Sequence, residues 1–187
     1  DSDHHLQVGF AELPLGVDTW IGLSIGLGQA GDTDLAAAMA RFQAHDRFCL
    51  TQARQVPAMA NPPAWIEQLL LAADDFLCRR PEEDQKEDQT GQAVSATSGP
   101  NAVIAGFPWF GEWGRDTMIA LPGLTLATGR PEIARQILVS YAAYIDAGLL
   151  PNHLPDGHTA LAYNSVDAAL WFLAAWQAYF AASQDEG

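Results

Sequence analysis

The chain has 187 residues, 49% of them apolar and 10% aromatic, enough for one domain with a core or two smaller pieces and too apolar for global disorder. Nine Lys and Arg stand against 23 Asp and Glu, a net charge of −14. That balance leaves no large basic face for nucleic acid and disfavours anionic membrane surfaces. No apolar run is long enough to span a bilayer, and no signal peptide opens the sequence. Cys49 and Cys78 show neither metal-ligand spacing nor a disulfide framework, which fits a reducing cytoplasm and no metal or other cofactor. A start at Asp1 rather than Met, and an end at Gly187 just after an apolar helix, point to a piece of something longer.

Residues 1–28 read as β structure, with Trp20, Ile21, Leu23 and Ile25 interrupted by glycines, like the last strands of a β domain. Asp32 or Thr33 can cap a helix running through Leu35, Met39 and Phe42 to about Gln55. Pro57, Pro62 and Pro63 break the chain. A helix from Ala64 to about Arg79 follows, with Trp65, Leu69, Ala72, Ala73 and Phe76 on one face. Residues 81–100 are acidic and then polar, with one sizeable apolar side chain, and predict a mobile, solvated loop. From Ala102 a short strand-like entry leads into GFPWFGEWGRD. A helix is expected from Asp116 to about Thr128, kinked at Pro122 and stopped by Gly129. The next starts at Pro131, carries Ile133, Ile137, Leu138, Tyr141 and Ile145, and ends at Gly148. A loop leads to a last helix, about Ser165 to Ala182, apolar nearly all round and so expected inside a larger assembly. The body is helical hairpins.

Two loops carry the chemistry. The first packs Phe107, Trp109, Phe110 and Trp113 beside Glu112, Arg115 and Asp116. Sugars offer apolar C–H faces to aromatic rings and hydroxyls to carboxylates and guanidinium groups. Core aromatics with an Asp helix cap paired to Arg115 are the competing explanation. The second loop holds Asn152, His153, Asp156, His158, Tyr163, Asn164, Asp167 and Trp171, with Asp167 in a helical first turn where the dipole favours a carboxylate. Trp171 reads as core. The spacing of His153, Asp156 and His158 matches no strong metal motif. Phosphate-loop, nucleophile-elbow, CxxC and dinucleotide motifs are absent from the sequence.

The run AGFPWFGEWGRDTMIALPGLTLATGRPEIARQIL, then GLLPNHLPDG and YNSVDAALWFLAAW, resembles the catalytic domain of bacterial and archaeal glycogen debranching enzymes of the amylo-α-1,6-glucosidase type. The likeness covers about Ala102 to Trp176, and LLLAADDFLCRR resembles the helix that opens the same domain. It implies a mainly α fold, part of an (α/α)6 toroid. In that reading residues 1–30 end an amino-terminal β domain, 31–61 form a linker helix and 62–187 begin the toroid. The resemblance also implies hydrolysis of α-1,6 branch points in glycogen by an acid and base, set roughly 6.5–9.5 Å apart if the mechanism inverts. It carries substrate-binding roles to Trp109, Trp113, Arg115, Asp116, Tyr163, Asn164 and Asp167. The family's acid and base lie further along the chain than these motifs, so the 187 residues alone are expected to be inactive, with Glu112 the fallback acid. A glucoamylase- or trehalase-like hydrolase on the same toroid, or a non-catalytic glycan-binding domain, are the alternatives.

Overall fold

The computed structural model describes residues 10, 12–14, 16–18, 21, 34–80, 100–106, 110–154 and 160–183. The described residues are mainly helical, and the chain divides into two compact units, Asp1–Ala44 and His45–Gly187. The β structure expected over 1–28 falls mostly outside the described residues, as does the acidic loop apart from Pro100.

Helix α1 (Leu35–Ala53) is opened by Asp34, whose Oδ1 accepts the Ala37 amide at 2.9 Å, so the cap lies just after the expected pair. Asp32 and Thr33 are outside the described residues. α1 stops short of Gln55 because a 3-10 turn begins at Pro57, and the residue before a proline is driven out of the helical region; Val56 is extended (φ −77, ψ 122).

Helix α2 (Ala64–Asp74) ends before Arg79, because Leu77 and Cys78 leave it as strand β1 (Leu77–Cys78), which pairs antiparallel with β2 (Ala102–Val103). The expected buried stripe is also corrected. Trp65 and Leu69 are 64% and 58% exposed, while Leu70 is buried with Ile66 and Ala73 half-buried beside it. The run Leu69–Leu70–Leu71 supports either stripe, and tertiary docking selects between them.

Strand β3 (Glu112–Trp113) runs directly into helix α3 (Gly114–Leu121). The helix therefore starts before Asp116, which sits in the first turn rather than at the cap. At Pro122 the missing donor produces a widened π turn, Pro122–Leu126, in which the Ala127 amide reaches Pro122 O at 3.0 Å. Thr125 and Thr128 hydroxyls donate to Leu121 O (2.6 Å) and Leu124 O (2.8 Å), serving carbonyls of this stretch. Gly129 stops it with φ +74, and a Cβ there would fall 2.3 Å from Gln52 O.

Pro131 opens α4 (Pro131–Ala142) as expected. That helix ends before Ile145. Gly148 (φ +80) instead joins Ala147 (φ +47) in a tight turn, closed by the Leu149 amide on Asp146 O at 2.8 Å. After β4 (His153–Leu154) comes α5 (Asp167–Ser183).

α3 and α4 both pack on α5. Met118, Leu121, Ile137, Leu138, Tyr141, Leu150, Phe172 and Tyr179 form the common core. α5 buries only one side: Leu170, Leu173 and Phe180 are exposed, and Trp176 is half-buried against Phe172, Tyr179 and Phe180. Among the described residues no helix is long and apolar enough to cross a membrane.

Candidate functional site

The two loops singled out in the sequence are joined through their backbones. β3 pairs antiparallel with β4, setting Glu112 opposite Leu154 and Trp113 opposite His153. The Gly114 amide donates to Asn152 O at 3.0 Å, and the Asn152 amide donates to Ala162 O at 2.7 Å. Gly114 is what permits this approach, since a Cβ on it would lie 2.1 Å from Pro151 O. Both loops therefore deliver their helix amino termini from one ladder.

Around that ladder, Trp113 is half-buried and its ring centroid lies 4.8 Å from that of His153, tilted by 47°. Arg115 and Asp116 are exposed in the first turn of α3. Asp167 occupies the first turn of α5, and its Oδ1 is 3.6 Å from Arg115 Nη1. The Ser165 hydroxyl donates to the same Oδ1. That hydrogen bond first, with Arg115 adding to it, holds the Asp167 carboxyl below the usual carboxylate range. Tyr163 donates its hydroxyl to Tyr144 O at 2.8 Å, and Asn164 is exposed. Trp171 is 42% exposed and so is not core, correcting the sequence expectation. Trp109, Phe107, Asp156 and His158 lie outside the described residues.

Arg115 is placed against the local electrostatics. A cation in a helical first turn faces the positive end of the macrodipole, which favours anions there. Its neighbour Asp167 supplies the compensating charge from the adjacent helix. Asn152 adds a second irregularity: its side-chain Oδ1 is buried without a hydrogen-bond partner among the described residues. A buried acceptor left unpaired costs about 1–3 kcal/mol, so such groups usually have a use.

Glu112 points away from this chemistry. Arg80 grips it bidentately, Nη2 to Oε1 at 2.6 Å and Nε to Oε2 at 3.0 Å, and Glu112 is buried. Arg80 also donates to Ser140 Oγ at 3.1 Å and stands over the Tyr144 ring at 5.7 Å. Burial disfavours the Arg80 charge, yet Glu112 more than offsets this and holds it above its ordinary value. Burial, reinforced by the Glu112 carboxylate, pushes the Tyr141 hydroxyl well up. The sequence offered no sign of Arg80, which reaches Glu112 from 32 positions away. Ser165 was also missed, although its place two residues before a first-turn Asp is a local signal that could have revealed it.

Away from the ladder, His45, Cys49 and Asp74 bring their ligand atoms within 4.8 Å of one another. A cleft of about 340 Å³ lined by Arg54, Ala60, Asn61, Pro62 and Glu67 shares no residue with the loops.

A family profile described as amylo-alpha-1,6-glucosidase matches residues 71–187, which include both loops, the ladder and α3 to α5. A glycogen debranching enzyme of Saccharomyces cerevisiae is 38% identical over 95 residues, covering 47% of this chain and 6% of that protein. The chain thus spans a small fraction of that curated relative. No solved structure matches. By the extent of the profile match, more than half its length, the chain belongs to the amylo-alpha-1,6-glucosidase family.

Proposed function

We propose that this chain forms the sugar-holding part of a glycoside hydrolase that cleaves α-1,6-linked glucose at glycogen branch points, in the cytoplasm. The observation that carries the proposal is the 3.6 Å approach of Arg115 to Asp167, across two helix amino termini joined by one β ladder. Arg115, Asp116 and Asp167 offer a cation and two carboxylates at an exposed edge, the complement of a sugar's hydroxyls. Trp113 supplies a face on which a ring stacks, a role that the family resemblance extends to Trp109. Tyr163 and Asn164 precede Asp167 in the loop that leads into α5. Tyr163 acts through position, because its hydroxyl is already donated to the backbone.

Glu112 fits a positioning role better than that of a proton donor. Both of its oxygens are held by Arg80, and it anchors the strand that carries Trp113. We place the helices within an (α/α)6 toroid, with 1–30 ending a β domain, 31–61 a linker and 62–187 the start of the ring. The exposed Leu170, Leu173 and Phe180 on α5 are the apolar face that a neighbouring helical layer of such a ring would cover.

The test is glucose release by the full-length enzyme from a branched limit dextrin, against maltose and trehalose. Asp116→Asn removes a charge-assisted hydrogen bond, on the order of 1.5–3 kcal/mol, so kcat/KM falls about 10- to 150-fold with the fold unchanged. Near-normal activity with lowered thermal stability would reduce Asp116 to a helix-terminal charge. Preferential turnover of maltose or trehalose would move the enzyme to another substrate class, and sugar binding without turnover would make it a binding module.

A further inference from the structure

Helix α1 presents His45 and Cys49 one turn apart, and Asp74 closes α2 opposite them. His45 Nε2 is 2.5 Å from Asp74 Oδ2 and 3.5 Å from Cys49 Sγ. A Cys-His-Asp relay is excluded by this geometry, because such a relay needs the acid on one ring nitrogen and the thiol on the other. Here one nitrogen faces both. The thiol, imidazole and carboxylate ligand atoms lie within 4.8 Å of one another, near enough to be drawn around one ion.

We propose that His45, Cys49 and Asp74 form a binding site for a thiophilic divalent cation of zinc-like chemistry. The donor set of one sulfur, one imidazole nitrogen and one carboxylate oxygen is that of zinc rather than of magnesium or calcium, which take oxygen ligands. Bond lengths of about 2.0–2.1 Å to nitrogen and 2.3 Å to sulfur at a tetrahedral angle set those two atoms roughly 3.5 Å apart. The observed Cys49–His45 separation is that distance. The Asp74 oxygen stands closer to His45 than a shared ion allows, and it must swing back by about 0.9 Å to reach a tetrahedral edge.

Arg130 is positioned to steer that carboxylate. It pairs with the other oxygen, Asp74 Oδ1, and is itself fixed by Nε on Thr128 Oγ1 at 3.0 Å and Nη2 on Leu124 O at 3.0 Å. Second-layer partners of this kind orient metal-binding carboxylates. Cys49 is buried, whereas His45 is 55% exposed, so the fourth coordination position opens toward solvent and gives an ion its entry. The site stands apart from the sugar loops. It would tie the second half of α1 to the end of α2 and to the Gly129 corner, where α1 already passes close to Gly129. The sequence hid it because Asp74 lies 29 positions from His45.

The experiment is equilibrium binding of Zn²⁺ to the purified full-length protein by competition with a chromophoric chelator, alongside Co²⁺ absorption. The expected result is one ion per chain and a thiolate-to-cobalt charge-transfer band. Cys49→Ser abolishes the band, and Cys49→Ser and His45→Ala each weaken Zn²⁺ binding by more than the 10- to 100-fold typical of losing an outer partner. Cys78→Ser retains both. His45 is exposed, so His45→Ala stays folded and keeps the test decisive if Cys49→Ser does not fold. Absence of stoichiometric binding, a cobalt spectrum without the thiolate band, or unchanged affinity in His45→Ala would each overturn the proposal. Loss of sugar hydrolysis with metal binding intact bears on the sugar site alone.

Discussion

The Arg115 guanidinium and the Asp167 carboxylate meet at 3.6 Å although each begins a different helix, and both remain about half exposed, at 45% and 48%. Exposed pairs of this kind contribute about 0–1 kcal/mol, so stability does not account for the placement. Arg115→Ala should therefore change thermal stability by less than about 1 kcal/mol, while in the full-length enzyme, under the proposed function, kcat/KM on limit dextrin falls at least about tenfold. A protein that loses stability but keeps its activity would identify the pair as structural.

Asp167 provides a pH readout of the same corner. Its carboxyl is held below the usual range chiefly by the Ser165 hydroxyl, with Arg115 contributing. A carboxylate with a depressed folded value contributes stability above its unfolded value, near 3.9, and loses that contribution as pH falls through the lower folded value. Ser165→Ala should move the Asp167 titration up toward the ordinary carboxylate range, followed by carboxyl-carbon NMR. An unmoved titration would show that Ser165 does not control this acid.

Arg80 and Glu112 predict an asymmetry. Glu112 is buried and Arg80 is 22% exposed, so removing Arg80 strands a buried charge at a cost of up to about 3–5 kcal/mol, whereas replacing both with apolar residues of similar volume is far milder. Arg80→Ala should lower the denaturation midpoint sharply, and Arg80→Met with Glu112→Leu should recover much of the loss. If Arg80→Ala is as stable as the parent and activity alone collapses, Glu112 belongs to the chemistry instead.

The sequence carried the helices well where local signals were strong. Pro131 opens α4, Gly129 stops the preceding turn, and the motif-rich loops belong to the family they resemble. Boundaries failed where long-range pairing decided them. Leu77 and Cys78 leave α2 for a partner strand at 102–103, and Gly114 begins α3 early because its amide is taken by Asn152. Within the site, the residue types were legible, but their pairing was not. Nothing in the local pattern announces that Arg115 faces Asp167, that Arg80 holds Glu112, or that Asp74 comes to His45 and Cys49.

Gly114 gives the last prediction a sign that helix propensity alone would get wrong. In a helix, Gly→Ala normally stabilises by roughly 0.5–1 kcal/mol through the unfolded chain. At Gly114 the added Cβ would meet the backbone Pro151 O at 2.1 Å, so the ladder between the two loops must open. Overpacking of this kind costs about 1–3 kcal/mol, enough to reverse the sign. Gly123, in the π turn that continues α3, has nothing within 4 Å of its virtual Cβ and serves as the control. Gly123→Ala should be neutral or stabilising in thermal melts. Gly114→Ala should be destabilising and should also weaken sugar binding, since Arg115 follows it directly. Equal melting temperatures for the two variants would mean that the 151–152 segment yields without cost, and that the ladder does not hold the loops together.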